Sequence, residues 1–246
     1  MLGYLGYLKQ AVTKVEQALT LAQNLAHPFS LASAWHCAAE VHRQRGEARA
    51  SLECAERELE LAREQGFPLW IALAQIYRGW ALARLGQFEE ALVAIPKGIA
   101  GYRATGAEMA VPRFLVLLAD AYGQAGQVDE GLRVSAEALA TVQRNRDCDS
   151  EAAELYRIRG DLLLAASSEH RDEAEASLRR ALDVARRQQA KSPELRATMS
   201  LARIFEKRGD RKEARAMLAA IYGWFTEGFD TADLKAAKTL LEELSA

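Results

Sequence analysis

Four glycines, Gly6, Gly46, Gly86 and Gly126, stand at a constant spacing of 40 residues, and Gly209 follows 83 residues after the last of them. A small residue lies five positions after each: Ala11, Ser51, Ala91, Gly131 and Ala214. Ala174 supplies the member between Gly131 and Ala214, although Glu169 stands where its glycine would be. A second register of small residues precedes each turn: Ala39, Gly79, Ala119, Gly160 and Ala202. Two independent registers kept over five units restrict the chain to a stack of similar supersecondary units, each too small to bury its apolar face alone.

The units read as helical hairpins. Ala, Leu, Glu, Arg and Gln, strong helix formers, dominate the chain of 246 residues, with five prolines and sixteen glycines. Each glycine falls where a left-handed turn would end a first helix, A, and begin a second, B. The small residues would let the two helices approach closely. Large apolar residues at helical spacing supply the buried stripe: Trp70, Leu73, Tyr77 and Trp80, then Phe88, Leu92, Ile95 and Ile99. Pro28, Pro68, Pro112 and Pro193 mark helix starts, with Ser192 expected to cap the last. Pro96, with Gly98 and Gly101 beside it, predicts a bend inside one B helix. The segment LLLAASSEHRDEAEASL predicts a longer, polar turn.

This pattern resembles the tetratricopeptide repeat, most closely in WHCAAEVH (Trp35 to His42) and LLADAYGQAGQVDEGL (Leu117 to Leu132). The period departs from that family's 34 residues. HEAT repeats share the longer period, but the turn glycine and the small registers favour the tetratricopeptide reading. The expected fold is all-α: a single right-handed superhelical solenoid over residues 1–246, with about five to six hairpins of roughly 40 residues. The expected units are 1–28 (partial), 29–68, 69–108, 109–148, 149–192 and 193–230, with a capping helix at 231–246.

At the start, only five residues precede Gly6. Helix B of that partial unit is expected to expose Val12, Val15 and Leu19 without an intramolecular partner, implying a piece of something longer or self-association through this edge. At the other end, YGWFTEGFDTADL is expected to plug the gap between the last hairpin and the terminal helix, with Phe229 as a staple-like anchor. A wider resemblance covers HPFSLASAW, EQGFPLWIALAQIYRGWAL, YRATGAE and the C-terminal stretch. It is similar to the C-terminal tetratricopeptide region of large bacterial signalling proteins, in which a class III nucleotide cyclase or kinase precedes a STAND P-loop ATPase. That resemblance implies a cytoplasmic regulatory or interaction module, with upstream ATPase or cyclase domains among its partners. It brings no catalytic chemistry, since nothing matches GxxxxGK[ST].

The remaining chemistry is sparse. The formal charge of −2 with both signs interleaved gives no footprint for nucleic acid or an anionic membrane. No apolar run reaches membrane-spanning length. His36 and His42 are on different helix faces, so no metal pair forms, and no cofactor or catalytic site is expected. Cys37, Cys54 and Cys148 lack CxxC spacing; Cys37 and Cys54 are expected as a buried reduced pair.

A solenoid does offer a concave surface lined by its A helices. In register, the inward residues are His36, Glu40 and Arg43; Ile76, Trp80 and Arg84; Arg113, Asp120 and Gln124; Glu154, Arg157 and Asp161; Arg196, Arg203 and Lys207. Spaced carboxylates and arginines with one tryptophan suit an extended or helical peptide, and a protein or peptide partner is expected there. The alternatives are a small-molecule sensor, and a free-standing or engineered repeat scaffold without a ligand.

Overall fold

The computed structural model describes residues 1–144 and 151–245, so Cys148 and the expected boundary between the fourth and fifth units lie outside the described residues. Twelve α-helices follow one another, and no strand occurs among the described residues. They are α1 (Leu8–Asn24), α2 (Pro28–Arg45), α3 (Ala48–Glu64), α4 (Pro68–Arg84), α5 (Phe88–Ala104), α6 (Val111–Gln124), α7 (Val128–Arg144), α8 (Ala152–Ala166), α9 (Arg171–Arg187), α10 (Lys191–Arg208), α11 (Arg211–Tyr222) and α12 (Ala232–Glu243). Each packs against its neighbours in sequence, and the even-numbered helices also pack in series from α2 to α12. The even helices are the A helices and form the inner wall; α3, α5, α7, α9 and α11 lie outside it. Between α8 and α9 the polar turn is a short 3-10 segment, Ser168–His170.

The two small-residue registers touch each other. A methyl group on Gly79 would lie 3.2 Å from the Ala91 carbonyl oxygen, one on Gly131 3.1 Å from that of Ala119, and one on Gly160 3.1 Å from that of Ala174. In the second hairpin the Ser51 hydroxyl donates to the Ala39 carbonyl at 2.9 Å. The hairpins therefore cross at the same point, with backbone nearly against backbone. Gly98 and Gly101 serve the same end. A methyl on Gly98 would come within 2.5 Å of Ile76 Cγ1 and 2.7 Å of the Ala72 carbonyl oxygen. Helix α5 runs through Pro96 with both glycines turned toward α4.

The two ends of the chain meet, which the sequence did not lead us to expect. Ser192 caps no helix, since α10 starts one residue earlier, at Lys191; its hydroxyl donates to the Gly3 carbonyl at 2.7 Å and its amide to the Tyr4 carbonyl at 3.2 Å. Glu227 accepts from the amides of Lys9 and Gln10, at 3.0 and 3.2 Å, and so caps the start of α1. Arg45 reaches Asp230 at 2.5 Å. A side chain on Gly6 would strike Trp224, Phe225 and Lys191, and one on Gly46 would strike Ala232; both glycines have positive φ.

These contacts correct three expectations. The apolar face of α1 is covered: Val15 is buried with Ala38 and Ala39 of α2, Leu19 packs against that cluster, Val12 is half-buried, and Leu8 and Ala11 are buried too. Among the aromatics of the C-terminal stretch, Phe225 and Tyr222 do pack between the last hairpin and the terminal helix, with Leu218, Ile221, Leu234 and Ala237, but Trp224 turns instead to the first residues. Trp224 lies 5.7 Å from the Tyr7 ring and stays 37% exposed, Phe225 is buried, and Phe229 is 48% exposed beside Tyr222. Finally, Cys37 is exposed while Cys54 is buried, so they form no buried pair.

Two stability measurements follow. Gly98→Ala should lose about 1–2 kcal/mol in urea unfolding because overpacking outweighs the gain in helix propensity, while Gly101→Ala, with looser surroundings, should change stability by less than about 0.5 kcal/mol. Equal effects would mean that α4 and α5 can separate freely. Phe225→Ala should cost about 3–5 kcal/mol and Trp224→Ala clearly less, and the reverse order would contradict the described closure.

Candidate ligand cavity

The inner wall lines a partly open cavity of about 310 Å³. Ten of the residues expected to face inward line it: Arg43, Trp80, Arg84, Arg113, Asp120, Glu154, Arg157, Asp161, Arg196 and Arg203. They come from α2, α4, α6, α8 and α10 because the one-per-unit register returns the same face of each A helix to the axis. Tyr4, Gln44, Glu151, Met199, Ser200 and Asp233 complete much of the wall. Tyr4 and Asp233 arrive through the meeting of the chain ends, and Glu151 precedes α8, so no helical register announces them.

Five expected residues lie elsewhere: Ile76 is fully buried in the core, Lys207 is exposed away from the cavity, and His36, Glu40 and Gln124 have other partners. His36 is packed between helices: its Nδ1 is 3.4 Å from Glu58 Oε1 on α3, and its ring is 5.5 Å from Trp70 and 5.1 Å from Tyr77 on α4. Its position three residues before the small residue of α2 turns it toward the neighbouring hairpin. Glu40 is not on the cavity wall; it accepts from Arg43 Nε and Nη2 at 2.8 and 2.9 Å and from Gln44 at 2.7 Å. Gln124 lines a smaller adjoining pocket with Asp120 and Asp161, and donates to Asp120 at 2.7 Å.

Most cavity charges are committed to one another. Arg113 Nε donates to Glu151 at 2.8 Å, and the Tyr4 hydroxyl donates to the same carboxylate at 3.2 Å. Glu154 is shared: Arg157 donates to one oxygen at 2.9 and 3.0 Å, and Arg196 to the other at 2.9 Å. Arg157 also reaches Asp161 at 2.7 Å, and Arg196 reaches Asp233 at 2.8 Å. These bonds tie α8 to α10 and α10 to α12. Arg43 lies over the Trp80 ring, 5.9 Å from its centroid.

The environment shifts the acids in opposite directions. Burial works to raise Glu154, but the guanidiniums of Arg157 and Arg196 outweigh it and hold the carboxyl down to about 2. Glu40 is likewise held well below the usual carboxylate range, Arg43 prevailing over burial. Asp120 goes the other way: burial pushes it up, and Arg157 and Arg84 only partly offset this. Burial and then the Glu151 charge keep the Tyr4 phenol protonated.

No family model matches the sequence, and no curated protein matches it. Solved structures do match its fold. The chain is similar to BtubC from P. vanneervenii, at 18% identity and TM-score 0.60 over 97% of this chain and 92% of that one. It is similar to NprR, solved in complex with its cognate peptide NprX, at 15% identity and TM-score 0.71 over 98% of this chain and 70% of that one. A putative kinesin light chain from Podosopora anserina, with nearly identical TPR-like repeats, matches at 20% identity and TM-score 0.51 over 80% of this chain and 95% of that one. The architecture is thus an all-α solenoid of the tetratricopeptide type. Among the described residues no helix is long and apolar enough to cross a membrane.

The shared carboxylate makes a prediction. Glu154→Gln removes the anion between two guanidiniums, leaving each only its outer partner, Asp161 or Asp233, and should cost on the order of 3 kcal/mol in chemical unfolding at neutral pH. Because the folded pKa is depressed, this contribution is complete above the unfolded carboxylate value near 4.3 and is lost as pH falls toward 2. The stability gap between wild type and Glu154→Gln should therefore narrow between about pH 4 and pH 2. A gap that stays constant over that range would refute the assignment.

Proposed function

We propose that the protein is an interaction and regulatory module that binds a peptide, or a peptide segment of a partner, in the central cavity. The observation that carries this reading is the convergence of charged side chains and Trp80 from five A helices on one partly open cavity. Such convergence needs more than packing, since apolar residues would fill an inner wall at lower desolvation cost. The likeness to NprR, a protein solved with a peptide bound, supports the same reading. Arg43, Trp80, Arg84, Arg113, Asp120, Arg157, Asp161, Arg196 and Arg203 form the binding wall in this proposal. His36, Glu40 and Gln124 act behind or beside it. Binding, not catalysis, is the role.

The sequence resemblance described above favours a cytoplasmic setting at the end of a bacterial signalling ATPase or cyclase, where occupancy of the cavity would report to the upstream domains. A small-molecule effector is the second reading, favoured by the cavity's volume, which falls at the lower end for ligand pockets.

Incubating the protein with a pool of short synthetic peptides, followed by size-exclusion capture and mass spectrometry, tests the site. Wild type should retain a subset of the pool. Arg203→Trp and Arg84→Trp, which fill the cavity from exposed positions, should reduce that retention at least tenfold. Retention unaffected by both substitutions would move the binding surface away from the cavity.

A further inference from the structure

A further inference rests on the peptide reading and concerns the groups the peptide must carry. Most charges of the cavity wall are spent within the wall, in the arginine–carboxylate bonds described above. Three are not. Arg84 and Arg203 both line the cavity, both are exposed, and neither has an ion-pair partner among the described residues. Asp120 lines the same cavity and receives only the Gln124 amide, at 2.7 Å, with no guanidinium bonded to it among the described residues. After burial, the guanidiniums of Arg157 and Arg84 act most strongly on its charge, and the carboxylates of Glu154 and Asp161 act against them. Outside its bonded pairs the cavity thus presents one acid on α6, whose burial Arg157 and Arg84 offset only in part, and two cations without a bonded acid, at the end of α4 and on α10.

We propose that the cavity selects a ligand carrying both charges, a short peptide with free termini, whose ammonium pairs with Asp120 and whose carboxylate is held by Arg84 and Arg203. A purely anionic ligand would bring its charge toward Asp120, Glu154 and Asp161 and leave Asp120 unpaired. A purely cationic one would be repelled by the arginine-rich wall. A dipolar ligand satisfies all three free groups and disturbs none of the bonds that tie α8, α10 and α12 together. Charge-assisted bonds of this kind are strong in a partly desolvated site and costly to leave unmade, so blocking either terminus should be felt directly.

The test compares three versions of one short-peptide pool: free termini, N-acetylated, and C-amidated. Wild type should retain the free pool at least tenfold better than either blocked pool. Asp120→Asn should lose the preference against acetylation while keeping the preference against amidation. The double substitution Arg84→Gln, Arg203→Gln should do the opposite, and circular dichroism should show all variants folded like wild type. Equal retention of the three pools, abolished by Arg203→Trp, would overturn the charge assignment and leave the peptide reading standing. Retention of no pool, or retention indifferent to Arg203→Trp, would overturn both. Loss of both preferences in Asp120→Asn alone would also sink the proposal, since it would mean that no group is matched to a separate terminus.

Discussion

Everything else in this fold depends on the point where the two helices of a hairpin cross. At that point the A helix offers Ala39, Gly79, Ala119, Gly160 or Ala202, and the B helix offers Ser51, Ala91, Gly131, Ala174 or Ala214. Methyl groups built on the glycines fall 3.1–3.2 Å from carbonyl oxygens of the facing helix, so there is no room for a larger side chain without separating the axes. Close approach brings the large apolar residues above and below the crossing into contact, where dispersion and burial act together. Repeating one crossing angle and one turn every 40 residues fixes the rotation from each unit to the next. Curvature is therefore a consequence of the small residues, and the inner cavity a consequence of the curvature.

The meeting of the ends follows from the same repetition but is fastened by different chemistry. Hairpin packing is apolar and periodic; the closure uses single polar contacts, Ser192 to Gly3, Glu227 to the first amides of α1, and Arg45 to Asp230. Glu227 satisfies donors that a helix start would otherwise leave unpaired. Two of the turn glycines, Gly6 and Gly46, acquire a second duty, because the C-terminal segment rests on the side where a Cβ would project. Gly86, Gly126 and Gly209 have open space there and serve the turn conformation alone.

This difference explains what the sequence showed and what it hid. The hairpin stack was legible because it is periodic: a fixed spacing of small residues survives in the sequence as a pattern. Half of the cavity wall was legible for the same reason; Trp80, Asp120, Asp161 and Arg203, for instance, each follow a small residue of helix A by one position. The closure was not legible, because Ser192 and Gly3 are 189 residues apart and share no pattern. Ser192 looked like a helix cap because Ser-Pro-Glu at a helix start usually is one. Tyr4, Glu151 and Asp233 were missed as wall residues on similar grounds. His36 failed for a local reason: its imidazole packs 3.4 Å from Glu58, fully buried on α3, and against the rings of Trp70 and Tyr77 on α4, and a register argument does not see partners on other helices.

The closure and the cavity are also energetically one system. Tyr4, from the first turn, and Asp233, from the last helix, both line the space in which the ligand is proposed to sit. Tyr4 is anchored there by Glu151, and Asp233 by Arg196, which in turn holds Glu154. A ligand that touches residues from both ends binds the closed form and has less to bind in an opened one. By linkage it stabilises the closure by as much as closure strengthens its binding. The coupling requires no moving part beyond the contacts already named, because separating the ends removes two of the cavity's walls. A repeat array whose ends were far apart would bind along its groove without such coupling.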